Sequence, residues 1–245
     1  MTKRPDQIKG PVPLWRRLLD HRLGVVMDVT TRDLVAALTF DDGPNPDATP
    51  LVLDLLDRYR ARATFFMVGK AAREYPDLVR SVVQRGHVIG NHSFNHAPFP
   101  SLSLRRLRQE IADTDRTLGG LSSRLIRPPG GFLNATSRLA LMGMGRKVIL
   151  WNATSLDWHE EESDRMLESL NRDMKPGAIL LFHDGIFSLK PSRNPPSPSR
   201  SSMLTTLGKF LDQWAATYSF VTIPELLKHG RERRVWRSRS PRGQP

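Results

Sequence analysis

Short apolar runs alternate with longer amphipathic stretches along most of this chain, and that order constrains the fold more than any other feature. Residues 35–40, 63–68, 87–89, 125–126, 147–151, 178–182 and 219–222 read as strands. Residues 49–60, 76–85, 104–118, 135–142, 162–173, 203–216 and 224–228 read as helices. Leu51, Leu55, Leu56 and Tyr59 fall at helical spacing. Ser103 sits where a helix N-cap is expected, and Gly86 and Gly119–Gly120 sit where helices stop. About seven strand-then-helix units in series imply parallel strands with helices outside. No glycine-rich phosphate loop follows any strand, which disfavours an open nucleotide-binding sheet. The expected fold is therefore α/β, an incomplete (β/α) barrel of about seven parallel strands in a single domain. A length of 245 residues suits that fold.

Charge marks the boundaries. The net charge is +12, but residues 228–245 carry seven Lys/Arg against one Glu, and residues 1–32 carry seven against three Asp. The expected domain spans 33–228, with a basic N-terminal extension at 1–32 and a basic, disordered tail at 229–245. The tails could touch nucleic acid, anionic lipid or an acidic polymer, while the plainer reading is solvated ends. The core carries no large basic excess and is not expected to bind nucleic acid. Residues 190–202, rich in Pro, Ser and Arg, read as a loop and a candidate flap. With no cysteine, disulfides and thiolate chemistry are excluded. Leu14 to Val29 is interrupted by Arg16, Arg17, Asp20, His21 and Arg22, so no signal peptide is read there, and nothing approaches the ~20 apolar residues of a membrane-spanning helix. The expected location is cytoplasmic.

The unusual polar residues fall at one kind of place. Asp41 and Asp42 follow the first expected strand, His92 and His96 the third, Arg127 the fourth, Asp157 the fifth, and His183–Asp184 the sixth. In a barrel these positions share one rim, where active sites are built. His92 and His96 are spaced i, i+4, so a helical turn would face both imidazoles the same way. Two histidines and a carboxylate with open positions make a hydrolytic metal site. Asp41 and Asp42 would repel at the mouth of a buried strand unless a dication lay nearby. One could then ligate and the other act as base. They are too close to be a glycosidase pair, which needs roughly 5 Å or more between carboxyls. His183 is a candidate general acid beside a metal site, or else a satisfied core histidine. Arg127 could hold a carboxylate, and the backbone after it could stabilise an oxyanion. Asp157 could orient His183, and Trp158 could wall a pocket.

TFDDGP at 39–44, HSFNH at 92–96, RPPGG at 127–131, DW at 157–158 and LFHD at 181–184 together resemble the five ordered motifs of the polysaccharide deacetylases, the NodB-homology domain or carbohydrate esterase family four. The resemblance covers roughly residues 33–228. It implies a distorted barrel, usually of seven strands. It implies Asp41 as general base, Asp42, His92 and His96 as ligands of a divalent cation (zinc first, cobalt, nickel or manganese as substitutes), and Arg127 as the tether of Asp41. It implies His183 as general acid oriented by Asp157. Trp158 and Leu181 would line a pocket for the acetyl methyl, and the Gly130 N–H would meet the oxyanion. The implied reaction removes N-acetyl groups from an N-acetylglucosamine-type polysaccharide or chitin-like oligosaccharide; the alternative is a same-fold hydrolase of another amide or cyclic imide. Gly130 stands where the family usually has an aromatic, and Thr154 where it often has another Asp.

Overall fold

The computed structural model describes residues 24–159, 162–187 and 200–236. Its strands are β1 (Val25–Thr30), β2 (Val35–Asp41), β3 (Ala63–Met67), β4 (Val88–Asn91), β5 (Ser122–Ile126), β6 (Lys147–Val148), β7 (Ala153–Thr154), β8 (Ile179–His183), β9 (Ser219–Phe220) and β10 (Arg231–Val235). Its helices are α1 (Thr49–Arg58), α2 (Gly69–Glu74), α3 (Pro76–Gln84), α4 (Leu104–Thr117), α5 (Ala135–Gly143), α6 (Ser163–Asp173), α7 (Ser201–Trp214) and α8 (Ile223–Leu226).

Seven parallel strands form one curled sheet in the order β6-β5-β4-β3-β2-β8-β7, and β9 adds to the start of β2. This is the distorted, incomplete (β/α) barrel. At its centre β2 is buried along its whole length, as expected for a strand covered on both faces. Its pleat sorts the side chains. Ala36, Leu38 and Phe40 join the core beneath the helices. Val35 and Ala37 join a second core on the other face, where Thr39 and Asp41 meet Arg127. Register stacks Phe40 on Phe65 and Phe182 from the flanking strands, with ring centroids 4.9 and 5.6 Å apart. Each such pair contributes about 0.5–1.5 kcal/mol beyond area burial.

The fold is wider than residues 33–228. Val25–Thr30 lies across the open side of the sheet: Leu150 N donates to Val26 O (2.8 Å) and Val29 N to Gly177 O (2.9 Å). Gly177 has φ 78°, and a Cβ there would sit 1.8 Å from Val29 O, so the approach requires glycine. β10 pairs antiparallel with β1, so part of the expected basic tail is a strand. Its charges are neutralised locally. Arg233 Nε (2.8 and 2.9 Å) and Lys175 (2.9 Å) donate to the buried Asp28. Lys147 (2.5 Å) and Arg234 (2.6 Å) donate to Glu232. Of the expected strand at 147–151 only Lys147–Val148 forms β6, because Ile149 and Leu150 turn to pair with Val26 of β1; β7 follows beyond it at Ala153–Thr154. The helix α2 was not expected. Ser201 and Ser202 of the expected loop open α7; residues 190–199 and the remaining parts of both tails lie outside the described residues. No helix among the described residues is long and apolar enough to cross a membrane.

Candidate active site and metal centre

The strands deliver the rim residues as the topology requires. Asp41 ends β2, His92 follows β4, Arg127 follows β5, Asp157 follows β7 and His183 ends β8. Among described non-glycine residues with positive φ, four lie here: Asp42 (74°), Ser93 (64°), His96 (55°) and Leu156 (62°). Such conformations cost of order 1–3 kcal/mol each and persist where surrounding structure imposes them.

The HSFNH segment departs from expectation. It is a bent loop, not a helical turn, and positive φ at Ser93 and His96 brings the two imidazoles together, with ring centroids 5.1 Å apart. Glu110, buried on α4, holds the bend. It accepts from Phe94 N (3.0 Å), Asn95 N (2.8 Å) and Asn95 Nδ2 (2.8 Å). Asn91 adds a bond from Ser93 N at 2.9 Å. Sequence reasoning missed Glu110, since a glutamate within an amphipathic helix reads as solvated.

Asp42 Oδ1 lies 3.3 Å from His92 Nε2 and 3.1 Å from His96 Nε2. One donor atom from each of the three residues lies within 4.8 Å of the others. His92 Nδ1 is 2.8 Å from Arg127 O. A carbonyl can only accept, so Nδ1 carries a proton and Nε2 is the nitrogen turned toward Asp42. Asp42 Oδ1 is itself buried without a hydrogen-bond donor. Lone pairs converging in a buried space fit a cation, and two imidazoles with one carboxylate suit a borderline divalent ion. Burial opposes charge on Asp42, yet the positive charges of His96 and His183 nearby hold its carboxyl well below the usual range. Burial also opposes charge on His96, and Asp42 more than reverses it.

Arg127 is fully buried. It donates to Asp41 Oδ1 (2.7 Å), Thr39 Oγ1 (2.9 Å), Ile149 O (3.1 Å) and Leu150 O (3.1 Å), and stacks 4.2 Å over Phe66. These contacts fix one carboxylate rotamer of Asp41. His183 Nδ1 lies 2.8 Å from Asp157 Oδ1, and His183 N donates to Asp157 Oδ2 at 2.8 Å. Burial would lower the His183 pKa, but Asp157 pushes it up to about 9. Trp158 meets the His183 ring edge-on at 5.3 Å and packs on the same core as Leu181. Gly130 lies in the turn after Arg127 with φ 64°. Thr154, in place of the commoner Asp, accepts from Leu156 N at 3.2 Å. Asp184 is buried under the TFDDGP turn and accepts from Thr49 Oγ1 at 2.5 Å; burial pushes its carboxyl up to about 7. Arg200 also reaches the site, donating to Asp157 Oδ2 (2.7 Å) and Asp157 O (2.9 Å).

The sequence model of the polysaccharide deacetylases matches residues 28–149. A peptidoglycan-N-acetylglucosamine deacetylase of Bacillus cereus is 34% identical over 221 residues, covering 88% of this chain and 99% of that protein. A chitooligosaccharide deacetylase of Sinorhizobium fredii is 32% identical over 197 residues, covering 79% of this chain and 86% of that one. A solved structure of a peptidoglycan N-acetylglucosamine deacetylase in complex with 4-naphthalen-1-yl-N-oxidanyl-benzamide matches with a TM-score of 0.77. Its identity is 26%, over 89% of this chain and 99% of the other. The likeness runs through the curled sheet that carries the rim as well as through the sequence, and the chain belongs to the polysaccharide deacetylase family, carbohydrate esterase family four.

Proposed function

We propose that this chain hydrolyses the N-acetyl group of N-acetylglucosamine units in a polysaccharide or chitin-like oligosaccharide, with a divalent cation, zinc first, held by Asp42, His92 and His96. The observation that carries this reading is the convergence of Asp42 Oδ1 with two imidazole Nε2 atoms beside an Arg127-held Asp41. Its relatives bear the names of deacetylases of peptidoglycan aminosugar and of chitooligosaccharide, which supports the substrate class.

A cation bound there would polarise the acetyl carbonyl and acidify water. The chain's own residues do the rest. Asp41, kept in one rotamer by Arg127, accepts a proton from the attacking water, whose oxygen bonds to the carbonyl carbon. The Gly130 N–H donates to the oxyanion; losing such a donor typically costs about 100-fold or more in rate. His183, protonated at neutral pH, donates from Nε2 to the leaving nitrogen as the C–N bond breaks, giving acetate and a free amine. Trp158 and Leu181 wall the acetyl methyl.

Acetate release from N-acetylglucosamine oligomers, with and without chelator, tests the reading. We expect release that stops on chelation and returns with zinc. The N-oxidanyl-benzamide found with a relative is a hydroxamic acid, a class that chelates divalent cations, and is expected to inhibit here. Ring-opening of small imides without acetate release from any oligomer would contradict it.

A further inference from the structure

Arg200 belongs to none of the five motifs, yet it is buried against the centre of the rim. Its position comes from α7. Arg200 is the residue before that helix, and its carbonyl accepts from Leu204 N at 2.9 Å in the first turn. The helix buries Met203, Leu207, Phe210 and Leu211. Phe210 meets Phe182 edge-on at 6.4 Å, and Phe182 immediately precedes His183 on β8. The backbone bearing Arg200 and the backbone bearing His183 are therefore fixed to each other through the core.

The Asp157 carboxylate lies between them with both oxygens engaged. Oδ1 faces His183 Nδ1 at 2.8 Å; Oδ2 accepts from His183 N at 2.8 Å and from Arg200 at 2.7 Å. The same guanidinium nitrogen holds the Asp157 carbonyl at 2.9 Å, pinning backbone and side chain together. Leu156, the residue before, has φ 62°, so this turn adopts a costly conformation that needs such support. Arg200 Nε is buried without an acceptor, a cost that a role in packing alone does not require. The charges around the imidazole are then Asp157 and Arg200 on one side, with Asp42 and Asp41 acting on it from the rim.

We propose that Arg200 is a positioning residue for the deacetylation. It locks the Asp157 carboxylate so that Oδ1 accepts the hydrogen bond from His183 Nδ1–H, leaving Nε2–H to serve the leaving nitrogen. The inference rests on His183 being the general acid in the reading above. Displacing a group of this kind by a fraction of an ångström costs about 10- to 100-fold in rate.

The test uses the full chain loaded with zinc, as wild type, Arg200→Met and Arg200→Lys. Three quantities are read: zinc per chain, kcat and KM for acetate release, and the downfield proton resonance of His183 Nδ1–H. Arg200→Met is expected to keep its zinc, lose about 10- to 100-fold in kcat with KM within about 2-fold, and shift or broaden the resonance. Arg200→Lys, which restores one donor, is expected to recover part of kcat and of the signal. Should Arg200→Met fail to fold, Arg200→Lys carries the test through the same resonance. An unchanged resonance overturns the proposal, as does a fall in activity no larger than the loss of folded protein. If the wild type releases no acetate, the deacetylase reading fails separately, and the resonance still decides whether Arg200 fixes the pair.

Discussion

Asp42 at the carboxyl rim and Asp28 at the opposite end of the sheet are both buried carboxylates, and they are answered differently. Asp28 accepts from Lys175 and Arg233, so its charge is cancelled by the chain itself. Asp42 Oδ1 faces two imidazole nitrogens and accepts no hydrogen bond. The first is a structural seam, joining β1 and β10 to the barrel. The second is an arrangement that protein groups leave incomplete, which could hold a cation. Burial and charge alone do not separate the two. What separates them is whether every lone pair has a donor.

If that contrast holds, changes at the rim should remove chemistry without unfolding the chain, and changes at the seam should do the reverse. His92→Ala is expected to have the largest effect, abolishing zinc binding and acetate release together while the thermal midpoint of the zinc-free protein stays near that of wild type. Asp41→Asn should keep zinc and lose about 1,000-fold or more in kcat, as the loss of a positioned base would; an Asp41→Asn variant that turned over normally would remove Asp41 from the mechanism.

The pH profile sharpens the rim further. His183 is raised from 6.5 to about 9 by Asp157, against the effect of burial. With His183 as the proposed general acid its protonated form does the work, so activity should fall on the alkaline side near pH 9. Asp157→Asn removes the charge that raises it, so that limb should move to lower pH, read from kcat against pH. The same linkage makes the raised imidazole's contribution to stability complete below pH 6.5 and lost as pH rises through 9, while the lowered Asp157 carboxyl gives up its own contribution only in acid.

At the seam, Gly177→Ala places a Cβ against Val29 O at positive φ. It should cost about 2–4 kcal/mol in urea unfolding, with activity per folded molecule unchanged. Asp28→Asn should cost less, about 1–2 kcal/mol, because Lys175 and Arg233 are each nearly half exposed and are screened by water. Loss of turnover in either seam variant while it remains folded would break the contrast.

The two regions also differed in how far the sequence exposed them. β2 and β8 were readable because each is an apolar run ending in residues that apolar runs do not need: Asp41–Asp42 and His183. The rim followed from topology, since strands in series deliver their carboxyl ends to one side. The shape of the HSFNH loop was not readable. Spacing of i, i+4 suggests a helix, and the bend that replaces it is imposed by Glu110 from another element. β1 was hidden by the charged residues around it and by Asp28 within it. RERRV looks like a solvated tail until its partners Asp28, Lys147 and Thr30 are in place. Arg200 lay in a Pro/Ser/Arg-rich stretch, 43 residues from the carboxylate it holds. In each case the missing information was a long-range contact that local pattern does not encode.

Zinc K-edge X-ray absorption on the loaded protein tests the metal centre most directly. One zinc per chain, with outer-shell scattering from two imidazoles that falls to one in His96→Ala, is the expected result. A zinc with no imidazole scattering, or a spectrum unmoved by His96→Ala and Asp42→Ala, would contradict it.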